Sequence, residues 1–304
     1  MKARILFLAV LPVFVRLISA NAAEYGVALT STPVLNTRNI ADVFGGTRGR
    51  DLKIDSCNQV RELEYIALPG ALFKILKKQH VGNADIYEVE TDEYKVPPNI
   101  RLYVDGRFLK LESAAPEPRK ASLPPYEEIM LALRASVGMN YVWGGNAPNG
   151  VPELSEWFYK GIDDSDRKRL SLAGLDCSGL LYHATGGWTP RNTSQLVTYG
   201  RGVPIDGKRV DEIVVLLQPL DIVVWDGHVI IVLDRQTTIE SRLECGKAGN
   251  GGVVISPLSR RMSEIMHSRK PANVWTGGRS SNIFVVRRWY DKNASEQRVE
   301  SLTK

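Results

Sequence analysis

The sequence predicts an α+β protein in which a small all-β module precedes a larger domain of helices packed on a largely antiparallel sheet. Three observations carry this expectation. Short apolar runs separated by turn residues fill positions 23–115, a stretch rich in proline and charge interrupts the chain at 116–125, and from residue 126 helical patterning gives way to strand patterning. A length of 304 residues leaves room for two modest domains.

In the first module the apolar runs are Gly26–Leu29, Val60–Ile66, Ala71–Leu76, Asp85–Glu90, Ile100–Val104 and Phe108–Leu111, the spacing of a small barrel or sandwich. Pro69-Gly70 and Gly82-Asn83 supply turns between runs, and Asp105-Gly106 reads as the turn of a hairpin joining the last two. Alanine, proline and alternating charge over Glu112–Ser122 read as a linker. The larger domain, 126–290, opens with a helix over Tyr126–Val137. Ile129, Met130, Leu133 and Val137 share its apolar face, and Glu127 and Glu128 sit in the first turn, where the dipole favours anions. Runs at Glu212–Leu217, Ile222–Trp225, Val229–Leu233, Thr237–Ile239, Gly252–Ile255 and Ile283–Trp289 read as strands. Asp291–Lys304 is polar and unpatterned and reads as a flexible tail.

Residues Met1–Ala22 read as a secretory signal peptide. Lys2 and Arg4 precede an eleven-residue apolar run, Ile5–Val15, and Ala20-Asn21-Ala22 offers a small-residue cleavage site. An uncleaved membrane anchor is the competing reading, but a span needs about 20 apolar residues. Export is therefore expected, with no stable membrane insertion once the signal is removed. The positive excess of five falls to two without Lys2, Arg4 and Arg16, too little for a phosphate-binding stripe, so nucleic acid is set aside as a partner. The three cysteines, Cys57, Cys177 and Cys245, leave at least one without an intrachain partner. Cys57 and Cys245 either bridge the two domains or stay free.

The chemistry concentrates around Cys177. Leu175-Asp176-Cys177-Ser178-Gly179-Leu180-Leu181-Tyr182-His183-Ala184, followed by Thr185-Gly186-Gly187, describes a short helix with Asp176 as its N-cap and Cys177 in the first turn. A helix N-terminus stabilises thiolate over thiol. Alone, such a cysteine reads first as an inert core residue. His228, however, stands at the start of a strand after Trp225-Asp226-Gly227, and an imidazole can take up a thiol proton and return it to a leaving amine. A hairpin centred on Asp234 sets Glu240 directly opposite His228, where its carboxylate would orient the ring. Gly144-Gly145, after Tyr141-Val142-Trp143, allows a close backbone approach. Cysteines and histidines lack metal-ligand spacing, and no glycine-rich phosphate loop follows a strand, so no metal or nucleotide cofactor is expected. His183 falls on another face of the helix from Cys177 and reads as structural, while His80 and His267 have no partner in the pattern.

Five motifs occur in one order: Tyr141-x-Trp143-Gly144-Gly145, Asp176-Cys177-Ser178-Gly179, Pro190-Arg191-Asn192-Thr193-Ser194-Gln195, Gln218-Pro219-Leu220-Asp221-Ile222 and Gly227-His228-Val229. In that order, over about Tyr126–Tyr290, the chain resembles NlpC-type papain-like cell-wall cysteine peptidases. The resemblance implies a circularly rearranged papain fold and hydrolysis of peptidoglycan stem peptides, commonly between D-γ-glutamate and a diamino acid. By position, Cys177 would be the nucleophile, His228 the general base and then acid, Glu240 the orienting residue, and Tyr141 the tyrosine beside the cysteine. The N-terminal module resembles the bacterial SH3-like domains that accompany such peptidases. In the related γ-D-glutamyl-L-diamino acid endopeptidase subgroup that module walls off one end of the cleft, and Asp176, Ser178 and Ser194 would help hold the free amine of an N-terminal L-alanine. The implied partners are stem peptides or muropeptides, and the implied location is the periplasm or cell wall.

Two features depart from the family pattern. Its third catalytic position is usually His, Asn or Gln, whereas Glu240 carries a negative charge that should raise the His228 pKa. Asn146–Leu175 is also a long insertion, helical over Glu153–Tyr159 and densely charged over Asp163–Arg169, and reads as either a lid or a surface insertion. The rival functional readings are a wall-binding protein with an inactive triad and an acyltransferase of the same fold.

Overall fold

The computed structural model describes residues 25–161, 163–247, 250–278 and 281–290. The expected signal peptide and tail lie outside the described residues.

Seven strands of the first module build one sheet: β1 (Tyr25–Ala28), β2 (Thr32–Leu35), β3 (Leu63–Ala67), β4 (Leu72–Val81), β5 (Ala84–Glu90), β6 (Leu102–Asp105) and β7 (Leu109–Glu112). They pair antiparallel in the order β3-β2-β6-β5-β4-β1-β7. Leu35, Leu63, Tyr65, Phe73, Leu102 and Val104 bury completely or nearly so beneath the sheet. Strand β2 carries Pro33 and is absent from the sequence-based expectation. Pro33 is tolerated because Ile66, its partner across the ladder, turns both backbone polar groups toward Asn146, leaving this a pair that exchanges no ladder hydrogen bonds.

Gly82-Asn83 forms the expected two-residue connection, with Val81 opposite Ala84. Asp105-Gly106, by contrast, closes no hairpin. The Asp105 side chain accepts from the Arg107 N–H at 3.0 Å and caps a single 3₁₀ turn, after which β7 departs to pair with β1. Glycine is needed at 106 for the close approach of the Tyr87 ring, which a side chain would overlap.

Helices of the larger domain are α1 (Tyr126–Ala135), α2 (Pro152–Phe158), α3 (Asp164–Leu170), α4 (Cys177–Ala184), α5 (Thr193–Leu196), α6 (Val210–Val214) and α7 (Leu258–Ser268). Its longer strands are β8 (Ile222–Trp225), β9 (His228–Val232), β10 (Thr237–Leu243), β11 (Gly251–Pro257) and β12 (Ile283–Arg288), which pair antiparallel in the order β12-β8-β9-β10-β11. One face, with Ile222, Val224, Val229 and Ile231, packs on α1 and α4. The other, with Val223, Ile230, Val232 and Phe284, packs on α6 and α7. Cover on both faces explains why these strands read as continuous rather than alternating apolar runs.

The expected strand at Glu212–Leu217 does not form; its first half, Glu212–Val214, closes helix α6 and the rest is turn and irregular backbone. Val210, Ile213, Val214 and Leu217 turn to one side at helical spacing, and Glu212 accepts from the Arg209 N–H at 2.9 Å to start the helix.

The insertion proves to be a clamp on the first sheet. Ala147, Val151, Leu154, Tyr159, Leu170 and Leu172 join the core of the first module, and the Trp157 ring lies 4.6 Å from that of Phe108. Arg107 stacks over Trp157 and Phe158 at 4.6 and 4.7 Å. Residues 113–125 form no regular element, but Arg119 bonds both Glu93 and the Gly186 carbonyl and so tacks this segment to both modules.

Cys57 and Cys245 are joined in a disulfide that closes a loop of 188 residues between the modules. Replacing both with serine is expected to cost about 2–5 kcal/mol of unfolding free energy in guanidinium titrations. Unchanged stability would show that the modules are held by packing alone.

Candidate active site

Helix α4 begins where Asp176, in extended conformation, accepts from the Gly179 N–H at 2.6 Å, which leaves Cys177 as the first helical residue. Glycine at 179 lets the helix start press against the preceding loop, since any side chain there would overlap the Gly145 carbonyl oxygen. Gly144 takes a φ of +69° and lies against Leu63 and Glu64 of β3. The two glycines therefore serve packing of the loop between α4 and the first sheet. Cys177 is 7% exposed, and its Sγ lies 3.9 Å from the Gly227 carbonyl oxygen.

His228 is the first residue of β9, presented by the two-residue Asp226-Gly227 turn. That turn is held by α5, because the Gly227 N–H donates to Thr193 Oγ1 at 2.9 Å. His228 Nε2 bonds Glu240 Oε2 at 2.7 Å, which leaves Nδ1 for the Cys177 thiol. The Trp225 ring flanks the imidazole at 5.2 Å.

The ladder differs from the expected one by a shift of centre. Ile231 pairs with Ile239 and Val232 with Thr238, so the hairpin centres on Arg235, while Asp234 caps its turn by accepting from the N–H groups of Gln236 and Thr237. Glu240 is consequently diagonal to His228 instead of opposite, yet it lies on the same face, and its side chain is long enough to span the diagonal.

Glu240 has a fully buried side chain. Arg261 of α7 grips it with Nε to Oε1 at 2.6 Å and Nη2 to Oε2 at 2.9 Å. Burial pushes the Glu240 carboxyl up, but hydrogen bonds from His228 and Arg261 outweigh it and hold the group at about 2. Burial likewise pushes His228 down, and its bonds to Cys177 and Glu240 outweigh that penalty and raise it to about 9. At neutral pH the ring is an imidazolium, a neighbour that stabilises a thiolate.

Tyr141 is buried next to the cysteine, and burial together with the charge of Cys177 pushes its phenol upward. Asp176 and Ser178 are both committed to a third residue, Arg191, which is 1% exposed. Arg191 bonds Asp176 Oδ1 at 3.0 Å and Oδ2 at 2.7 Å, Ser178 Oγ at 2.9 Å, Asn146 Oδ1 at 3.0 Å and the Gly145 carbonyl at 3.3 Å. Asn146 continues the chain of contacts by bonding both backbone groups of Ile66 in β3. Ser194 does not join the cluster but is exposed on α5, and it is the adjacent Thr193 that reaches the His228 turn.

Arg191, Asn146, Thr193 and Arg261 are residues of the site that carry no role in the sequence pattern. Arg191 and Thr193 lie within a motif that drew notice as a whole, whereas Arg261 lies 21 residues beyond Glu240 on a helix that was not expected. Among the other histidines, His183 is half-buried, with burial lowering its pKa, and His267 is exposed. His80 has a partner after all, with Nδ1 at 3.1 Å from exposed Asp85. Among the described residues no three His, Cys, Asp or Glu side chains are grouped to hold a metal ion, and no helix is long and apolar enough to cross a membrane.

No family model and no curated protein matches the chain. Among solved structures, NlpC2 from Trichomonas vaginalis superposes over 88% of this chain and 73% of its own, at 13% identity and a TM-score of 0.31.

Two outcomes follow from the buried charges. Replacing Arg191 with Met strands Asp176 and is expected to cost about 3–5 kcal/mol in chemical unfolding, while an unaffected midpoint would mean Asp176 is adequately held by its other donors. Glu240 titrates lower folded than unfolded, so its stabilisation is present above about pH 4.3 and is lost as pH falls toward 2. Glu240→Gln should flatten the stability profile across that window, measured by unfolding at stepped pH.

Proposed function

We propose that this chain is an exported cysteine endopeptidase that hydrolyses peptidoglycan stem peptides at the bond between D-γ-glutamate and the diamino acid. The observation that carries the reaction class is the line of contacts from Cys177 at a helix N-terminus, through His228, to buried Glu240. The substrate class rests on the five ordered motifs. Export rests on the N-terminal signal pattern, with the periplasm or cell wall as destination.

In this reading the Cys177 sulfur attacks the amide carbonyl, and the N–H groups at the start of α4 stabilise the developing oxyanion. The imidazolium of His228 gives its proton to the departing amine as the C–N bond breaks, leaving a thioester on Cys177. Water then attacks the thioester while neutral His228 takes its proton, and the acid product leaves as the thiolate–imidazolium pair is restored. Glu240 keeps the ring in one orientation through both steps. No cofactor takes part. The ordered triad favours catalysis over the wall-binding reading, and transfer to an amine in place of water would show as a different product mass.

The N-terminal sheet is read as an SH3-like module closing one end of the cleft. Arg191 already neutralises Asp176 and bonds Ser178, so neither offers an unmatched group to a substrate amine. The requirement for a free L-alanine amine therefore needs its own arm of the test.

The test presents residues 23–304 and the Cys177→Ala variant with purified muropeptides carrying free or muramyl-capped L-alanine, with products read by mass spectrometry. Release of the diamino acid portion is expected from the wild type, with a loss of at least about 10³-fold in the variant. Cleavage of capped stems would remove the walled-cleft specificity, and intact peptides would overturn the peptidase reading. Because the acting form carries the His228 proton, kcat/KM should fall as pH rises through about 9.

A further inference from the structure

We propose that Arg261 is a positioning residue for this site, holding Glu240 ionised in both protonation states of His228 and limiting how basic the imidazole becomes. The proposal rests on reading Cys177, His228 and Glu240 as a catalytic triad.

A carboxylate with a fully buried side chain needs a counter-charge. If His228 alone supplied it, the loss of the ring proton would leave Glu240 uncompensated, and the pair would resist giving that proton to a leaving amine. Arg261 removes this conflict. Its guanidinium is permanently charged and takes both carboxylate oxygens, sharing Oε2 with His228 and holding Oε1 through Nε. Helix α7 places it there on the turn that buries Leu258, Met262 and Ile265 against the sheet.

The charged groups around the pair are few. Arg242 of β10 stands 3.8 Å from Glu240 Oε1 and faces Glu244 at 3.4 Å, while Glu264 of α7 accepts from Arg261 Nη1 at 3.2 Å. His228 faces Cys177 of α4, Glu240 of β10 and the Trp225 ring, on which Arg269 stacks at 4.5 Å. Of the cations, Arg261 alone makes a bidentate grip on Glu240 among the described residues. The raised His228 value of about 9 is thus reached with Arg261 already drawing on the carboxylate.

Two roles for Arg261 give shifts of opposite sign. If it tunes charge, Arg261→Gln leaves His228 as the main counter-ion of Glu240, and the imidazole midpoint rises by about one pH unit or more. If it merely props the side chain, Glu240 swings away, His228 loses its acceptor and the midpoint falls, as it should in Glu240→Gln.

The experiment is a ¹⁵N-imidazole NMR titration of the full mature protein, with the His228 signal identified among four histidines by its loss in His228→Ala. A rise in Arg261→Gln and near-restoration in Arg261→Lys is the expected result; a fall or no change in Arg261→Gln overturns it. Should the Arg261 variants fail to fold, Glu264→Gln carries the test from an exposed position. Freeing Arg261 from its second carboxylate tightens its hold on Glu240 and should lower the His228 midpoint by a few tenths of a unit, and an unmoved or raised midpoint overturns the proposal. The titration uses no peptide substrate. Shifted midpoints in a protein that cleaves nothing would sink the peptidase reading alone, and cleavage with unmoved midpoints would sink the role of Arg261 alone.

Discussion

The site depends on one buried cation. Arg191 gathers the carboxylate that caps α4, the hydroxyl of Ser178, the Gly145 carbonyl and the side chain of Asn146, which is itself bonded to both backbone groups of Ile66. The first residue of helix α4, the loop beneath it and the edge strand β3 of the N-terminal sheet are thereby fixed against one another. The same chain segment runs on to Thr193, which pins the Gly227 N–H and with it the approach of His228 to Cys177. Cys177 and His228 thus take their positions from the same chain segment, Arg191–Thr193. The groups gathered by Arg191 are deeply buried, so each must be satisfied at once or the whole arrangement becomes costly.

Arginine–carboxylate forks recur around the site. Arg288 grips buried Asp221, whose Oδ2 also accepts from the Gln218 N–H, and this sets the turn from which β8 leads toward His228. Arg261 grips Glu240. Planar, bidentate pairs fix direction as well as distance, and in a buried setting their contribution is more to geometry than to net stability. The covalent bridge from Cys57 to Cys245 works at longer range. Near Cys57, Gln59 Oε1 accepts from the Trp143 N–H and Arg61 stacks on the Trp143 ring, so the bridged loop also braces the segment between Tyr141 and the glycine pair.

Much of this was legible in the sequence because local rules governed it. The cap Asp176, the glycines around the helix start and the strand positions on both sides of His228 follow from capping, turn chemistry and apolar runs, and the structure places each where these rules put it. What was not legible depended on tertiary partners. The strand that carries Pro33 is not among the apolar runs, and it is accommodated because Asn146 occupies the backbone of Ile66, the ladder partner of Pro33. Val210–Leu217 has apolar residues that suit either period, and burial against α7 decides for helix. Glu240 was found through a hairpin register that was off by one in its centre, and the contact survived because diagonal neighbours on one face stay within reach. Arg261 gave no local signal, since its partner lies on a strand 21 residues earlier.

The proposed peptidase mechanism requires Cys177 to carry the acyl group between the two halves of the reaction. Rapid acid quenching of mature protein mixed with a free-amine L-alanyl-γ-D-glutamyl-diamino acid peptide, followed by intact-mass measurement and peptide mapping, tests this directly. A mass gain equal to the alanyl-glutamyl acyl group, located on Cys177 and absent in Cys177→Ala, is the expected result. Turnover of the peptide without such an adduct in the pre-steady-state phase, or an adduct on another residue, would contradict it.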